Sequence, residues 1–525
     1  MAIYAYDVMQ LAEDLKGFWS NRKTYHLKRW NFYYGDGQRG YISKFEGESN
    51  EEYSNRVANA TVENHCAKTC DVLVSYLYGQ PNSKNRIIVR VLDKEGKINE
   101  KAQDFLQENI WHNNDIDSFR VDVGLMTSVT GCGVVHKEFV DKRTMLPFAA
   151  DAKREDKIKY GTIRYDLFDT VDTMPMPLIT SSGVVYPRML GAIIRLYNID
   201  NFSGISILDR LLQKTYAEDE ILEVFDGQKF WRGKLVPGPD RVEVLANTPN
   251  QYGNINIPFT VFRNYGDPMY LEGISDLDQM IPLQNVLNEG LNADKAAIEY
   301  HSYPLLVLTG GAKLPSNFIR KVNSGLEMDI NQDVKYLTWD NVLEASQVFK
   351  ESVRKQMTVV SGVSQVSRGN AESIGQVRSG AGLKILFQAD INAVALKIPY
   401  FREAEKRLVY STLAMWEQET GESFGEDYFC EVEFPADFVG LDELLKAQTE
   451  QIEIANATRS IREAILDKHP ELTSEEDVDS IISEIIAEKK KLALATKPPV
   501  APEAPGKTVK PQGTTQKSQE QQTPK

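Results

Sequence analysis

The spacing of apolar residues changes several times along the chain, and each change predicts a different kind of element. In "DVMQLAEDLKGFW" the apolar positions Val8, Leu11, Leu15 and Phe18 recur at helical spacing, so residues 1–30 are expected to be helix. An aromatic and glycine-rich stop, "WNFYYGDGQRG", should follow it. A second helix is expected from about Asn59 to Leu77, with Gly79 as its C-cap and Pro81 blocking continuation. Residues 84–140 mix the strand "RIIVRVL" with helices. They end in "TSVTGCGVVHKEFV", where a helix should pass through Gly131 and Gly133 into a strand. From about 157 to 265 the pattern becomes short strands, among them "TIRYDLF", "AIIRLYN", "ILEVFD", "KFWRG", "RVEVLAN" and "FTVFRN". Gly, Pro, Asn and Asp separate them, as in an antiparallel β region.

Helical spacing returns after "GDPMYLEGISDLDQM". Ser275 followed by Asp278 reads as a capping-box-like start, and Pro282 should bend or restart the helix. Residues 304–340 form a compact insert with strand signals, and "NVLEASQVFKESVRKQMTVV" is another helix. The stretch "VVSGVSQVSRGNAESIGQVRSGAGLK" (359–384) is small and polar, set between helices. Beyond it a helix of about forty residues is expected, far longer than usual, with Pro399 kinking it near 395–399. Two amphipathic helices should occupy 440–495. The Pro-, Gln- and Thr-rich end should be disordered for lack of large apolar residues.

Composition narrows the function classes. With 525 residues, 42% hydrophobic and 26% charged, the chain is an ordinary folded protein of several domains. Its net charge of −15 argues against a surface that grips nucleic acid throughout, because phosphate binding needs clustered Lys and Arg. Four scattered cysteines, Cys66, Cys70, Cys132 and Cys430, do not make a disulfide framework, and a reducing compartment is expected. The N-terminus has no signal-peptide pattern, and no run approaches the ~20 apolar residues of a membrane span.

Candidate chemistry is sparse. Gly375 and Gly380 have the spacing of a phosphate-binding loop, but Ala381 stands where the lysine belongs and no strand precedes it. His65, Cys66 and Cys70 are neighbours in a helix and the two cysteines share a face, but no second Cys/His pair lies nearby, so buried thiols are the better reading. Asp267, Glu272, Asp276 and Asp278 could hold Mg²⁺ in a nuclease, but acids also belong at helix starts. The six histidines fall in no catalytic motif.

The order of parts then carries more than any motif. Three stretches resemble the portal proteins of tailed bacteriophages, siphophage type. They are "VLVSYLYGQP", "INIPFTVFRNYGDPMYLEGISDLDQMIPLQNVLNEGLNADKAAIEYHSYPLLVLTGG" (255–311) and "SGVSQVSRGNAESIGQVRSGAGLKILFQADINAVALK" (361–397). The resemblance implies an α+β, mostly helical subunit. Residues 1–265 would be an α/β wing, 266–303 a first stem helix, 304–340 a small β-containing clip and 341–360 a second stem helix. Residues 361–375 would be a tunnel loop, 376–420 a long kinked helix, 421–495 a helical crown and 496–525 a disordered tail. It implies a homo-oligomeric ring of about twelve subunits at one capsid vertex, assembled in the host cytoplasm and carried in the virion. Double-stranded DNA would pass through it non-specifically during packaging and ejection. The terminase large subunit, a head-completion or adaptor protein, and the major capsid and scaffolding proteins would be its partners. No enzymatic activity, cofactor, metal or membrane is implied.

The resemblance also assigns residues. Ser361, Ser364, Gln365, Ser367, Arg368, Asn370 and Glu372 would face the DNA channel, with Gly362, Gly369, Gly375 and Pro399 as hinges. A near-neutral loop on an acidic body would let a duplex slide, whereas a basic loop would release counterions and hold it. The rival readings are an intracellular helical scaffold or adaptor, and a metal-dependent nuclease built on the acids at 267–278.

Overall fold

The computed structural model describes residues 8–79, 87–149, 151–179, 184–198, 220–235, 242–266, 271–302, 305–309, 333–337, 342–368, 387–425, 427–435 and 482–483. The chain divides into two compact units, Met1–Asp442 and Glu443–Lys525. Of the second, only Ile482 and Ser483 are described, both helical. The helices expected over 440–495, and the tail, otherwise lie outside the described residues. No helix among the described residues is long and apolar enough to cross a membrane.

The first unit opens with α1 (Val8–Tyr34), α2 (Asn50–Ala58) and α3 (His65–Tyr78). Strand β1 (Ile88–Asp93) leads into α4 (Glu100–Phe105), a π-helical turn, α5 (His112–Asn114) and α6 (Ile116–Thr130). Then come β2 (Cys132–Asp141), β3 (Leu146–Pro147), α7 (Arg154–Tyr160) and β4 (Gly161–Phe168). Strands β5 (Thr173–Ile179), β6 (Val185–Asn198), β7 (Glu220–Asp226), β8 (Lys229–Leu235) and β9 (Val242–Pro249) make one antiparallel meander in sequence order. Strand β10 (Phe259–Arg263) returns to the first sheet, where β2 pairs with β3, β4 and β10.

The second half of this unit is helical around a small hairpin. Helix α8 (Met280–Ser302) precedes the antiparallel pair β11 (Leu305–Thr309) and β12 (Asp333–Leu337), and α9 (Val342–Ser361) follows. Then come α10 (Gln388–Ala395), α11 (Ile398–Thr420) and β13 (Tyr428–Glu433), which pairs antiparallel with β1. The α+β class with prominent helix agrees with the expectation. Residues 428–433, expected in the crown, are instead a strand of the first unit, because β13 completes the β1 ladder.

Three local expectations are corrected. Helix α1 runs through the aromatic cluster to Tyr34 and stops at Gly35, whose φ of +87° no longer suits a helix. Phe32 is fully buried there, so the aromatics pack within the last turn rather than end the helix. Helix α3 starts at His65, not near Asn59, because the Asn64 side chain accepts the Ala67 amide and caps it. The long helix does break within the expected span 395–399, but as a turn between two helices rather than a kink at Pro399. Leu396 and Lys397 form a turn, and Pro399 sits in the first turn of α11, where its missing N–H costs nothing.

The cores explain why these elements stack. α3, α6 and α11 cover the β2 sheet, burying Leu73, Leu77, Val123, Phe262, Phe401 and Trp416 in one cluster. A second cluster joins α1, α3, α8 and α9 through Phe32, Cys66, Cys70, Leu287, Val353 and Met357. Trp19 of α1 packs on the meander beside Met174, Ile194 and Leu222.

Candidate functional site

Three neighbouring arrangements make up the region that the sequence singles out. The first is the junction of α6, β10 and α8. Helix α6 ends at Gly131, with φ of +97°, and a Cβ there would lie 2.3 Å from the Gly273 carbonyl oxygen. The Gly131 carbonyl accepts the amides of both Asn264 (2.9 Å) and Gly273 (3.0 Å). Ser275 does not cap α8 as expected. Its hydroxyl donates to the Val129 carbonyl (2.6 Å) and accepts the Leu277 amide (3.0 Å), and α8 begins later, at Met280. Pro282 therefore falls in the first turn of α8, where its missing N–H leaves no intrahelical bond unmade. Asp276 accepts from Ser128 Oγ and from Asn264 Nδ2 (3.1 Å), and pairs with Lys397, which sits at the α10–α11 break. Both side chains of that ion pair are at most 5% exposed. The stretch that carries the resemblance is thus a buried lock between β10, the start of α8 and the start of α11.

The other acids are also paired. Glu272 binds Arg22, which donates in addition to the Thr170 carbonyl (2.5 Å). Asp278 takes both Nε and Nη2 of Arg29 at 2.8 Å. Among the described residues no cluster of His, Cys, Asp or Glu is arranged to hold a metal ion. Asp267 lies outside the described residues. Arg22 and Arg29 were missed in the sequence reading. Their signal was a cationic stripe Arg22–His26–Arg29 on the face of α1 that also carries buried Trp19, which means internal pairing rather than a solvated face. Burial and the two arginines push the His26 imidazole down to about 2, so it is neutral.

The second arrangement is the helix pair α8–α9. The helices run antiparallel, joined at one end by the β11–β12 hairpin. Asp294 of α8 accepts from Ser346 and Lys350 near the start of α9, while Leu287 and Met280 share a buried cluster with Val353 and Met357 further along it. Glu63 ties α9 to the start of α3. It accepts from Arg354 (2.9 and 2.6 Å) and lies 2.7 Å from His65, and these partners hold its carboxyl down to about 2. Cys66 and Cys70 are buried free thiols beside this contact, and burial pushes Cys66 up to about 12.

The third arrangement is the first part of the Gly/Ser-rich stretch. Ser361 is the last residue of α9 and bonds back to the Met357 carbonyl (2.7 Å). Gly362 follows with φ of +67°, its amide on the Thr358 carbonyl (3.1 Å), an αL helix stop that favours glycine. The fully buried Asp390 of α10 accepts the Ser364 amide and the Ser367 hydroxyl, each at 2.7 Å. Arg368 donates to the Met357 carbonyl (3.1 Å) and to Ser361 Oγ, a cation placed on the C-terminal end of α9. Burial pulls its guanidinium down to about 10, still charged at neutral pH. Ser364, Ser367 and Arg368 thus direct their polar groups inward, and Gln365 is half-buried. Gly369, Asn370, Glu372 and Gly375 lie outside the described residues.

Helices α8 and α9 are thus bridged by a hairpin and followed by a latched turn and a broken helix. The model of the family "Phage portal protein, SPP1 Gp6-like" matches residues 191–491, more than half of the chain, and the chain belongs to that family. No curated protein matches it. Among solved structures it is similar to a chain of the virion of a native gene transfer agent particle. The identity is 8%, with 80% of this chain and 92% of that one covered, and the TM-score is 0.41. It is also similar to a chain of the neck of the empty particle computed with C6 symmetry, at 10% identity, 80% and 93% coverage and a TM-score of 0.43. A chain of the native particle's neck, computed with C12 symmetry, gives 8% identity, 75% and 86% coverage and a TM-score of 0.38.

Proposed function

We propose that the chain forms a closed ring of about twelve subunits at one capsid vertex, through which double-stranded DNA is packaged and ejected. The observation that carries this reading is the antiparallel α8–α9 pair with the hairpin β11–β12 at one end and the Asp390-latched turn at the other. In this reading residues 1–265 serve as wing and α8 and α9 as stem. The 304–340 insert is the clip that docks the terminase large subunit and later a head-completion protein. The 443–495 segment serves as crown, facing capsid and scaffolding proteins. Residues 361–375 form the tunnel loop. Its base, Ser361 to Arg368, is anchored on α9 and α10, and the stretch from Gly369 to Gly375, with Asn370 and Glu372, meets the duplex. The weak net charge of that stretch suits sliding rather than holding. Energy for translocation comes from the partner ATPase, and assembly takes place in the host cytoplasm before the ring is sealed in the virion.

Location is the direct test. Particles grown with a tagged copy of the chain and labelled with gold should carry label at a single vertex, the one that bears the tail. Label on every vertex, or on none, would remove the reading.

A further inference from the structure

We draw no further inference here: the strongest candidate, the groove of about 370 Å³ that Phe45 and Arg56 wall against Val286 and Ala293 on the outer face of α8, carries nothing, because its two charged side chains are engaged within the chain, Arg56 with Glu48 and Glu289 with Ser43, and nothing in the structure shows what covers it.

Discussion

Lys137 lies on β2 and is 1% exposed, its amine donating to Thr260 Oγ1 (2.5 Å) and Ser411 Oγ (2.5 Å), with no carboxylate in reach among the described residues. Desolvation alone drives its pKa well below 10.5, so the unfolded chain binds a proton that the folded chain resists. Stability from this group therefore rises with pH, from the folded pKa up to 10.5. Lys137→Met should raise the melting temperature at neutral pH, and its advantage should shrink as pH approaches 10.5. Ser411 keeps its bond to the Arg407 carbonyl (2.6 Å), so the change strands at most the Thr260 hydroxyl, a cost of about 1 kcal/mol. A variant less stable than wild type at neutral pH would show that the lysine is charged in place. His26 acts in the same direction. Its folded pKa of about 2 lies below the ordinary 6.5, so stability is lost as pH falls below 6.5. His26→Gln should make the acid limb of a denaturation-midpoint profile shallower.

At the scale of elements, the Asp276–Lys397 pair joins the entry to α8 with the α10–α11 break. Asp276→Asn leaves a buried ammonium uncompensated and should cost about 3–5 kcal/mol. Pairing it with Lys397→Met should recover much of that loss in a double-mutant cycle read by urea midpoints. Additive losses would mean the two residues act separately. Asp390→Ala should free Ser364 and Ser367 and speed proteolysis of the turn after α9, with the cores intact. These elements also show what the sequence makes legible. Alternation of apolar residues marks β4, β6, β7, β8 and β10, and Gly131 marks the passage from α6 to β2, because local sterics decide such features. The acids at 272–278 read as helix-start residues, yet each is spent on a cation more than a hundred positions away, in α1 or at Lys397. No local pattern encodes such pairing. The Gly/Ser-rich stretch likewise read as open loop, because the buried carboxylate that anchors it belongs to a separate helix, α10.

At the scale of the whole molecule, the proposed function depends on copies of the chain closing a ring. Through the Arg22–Glu272 and Arg29–Asp278 pairs, helix α1 braces the junction from the far end of the chain. The most direct measurement is negative-stain electron microscopy of the purified chain, with its mass in solution, across a series of salt and protein concentrations. The account predicts rings of about a dozen subunits around an open channel. Monomers or dimers under every condition, with scaffolding protein added as well, would contradict it.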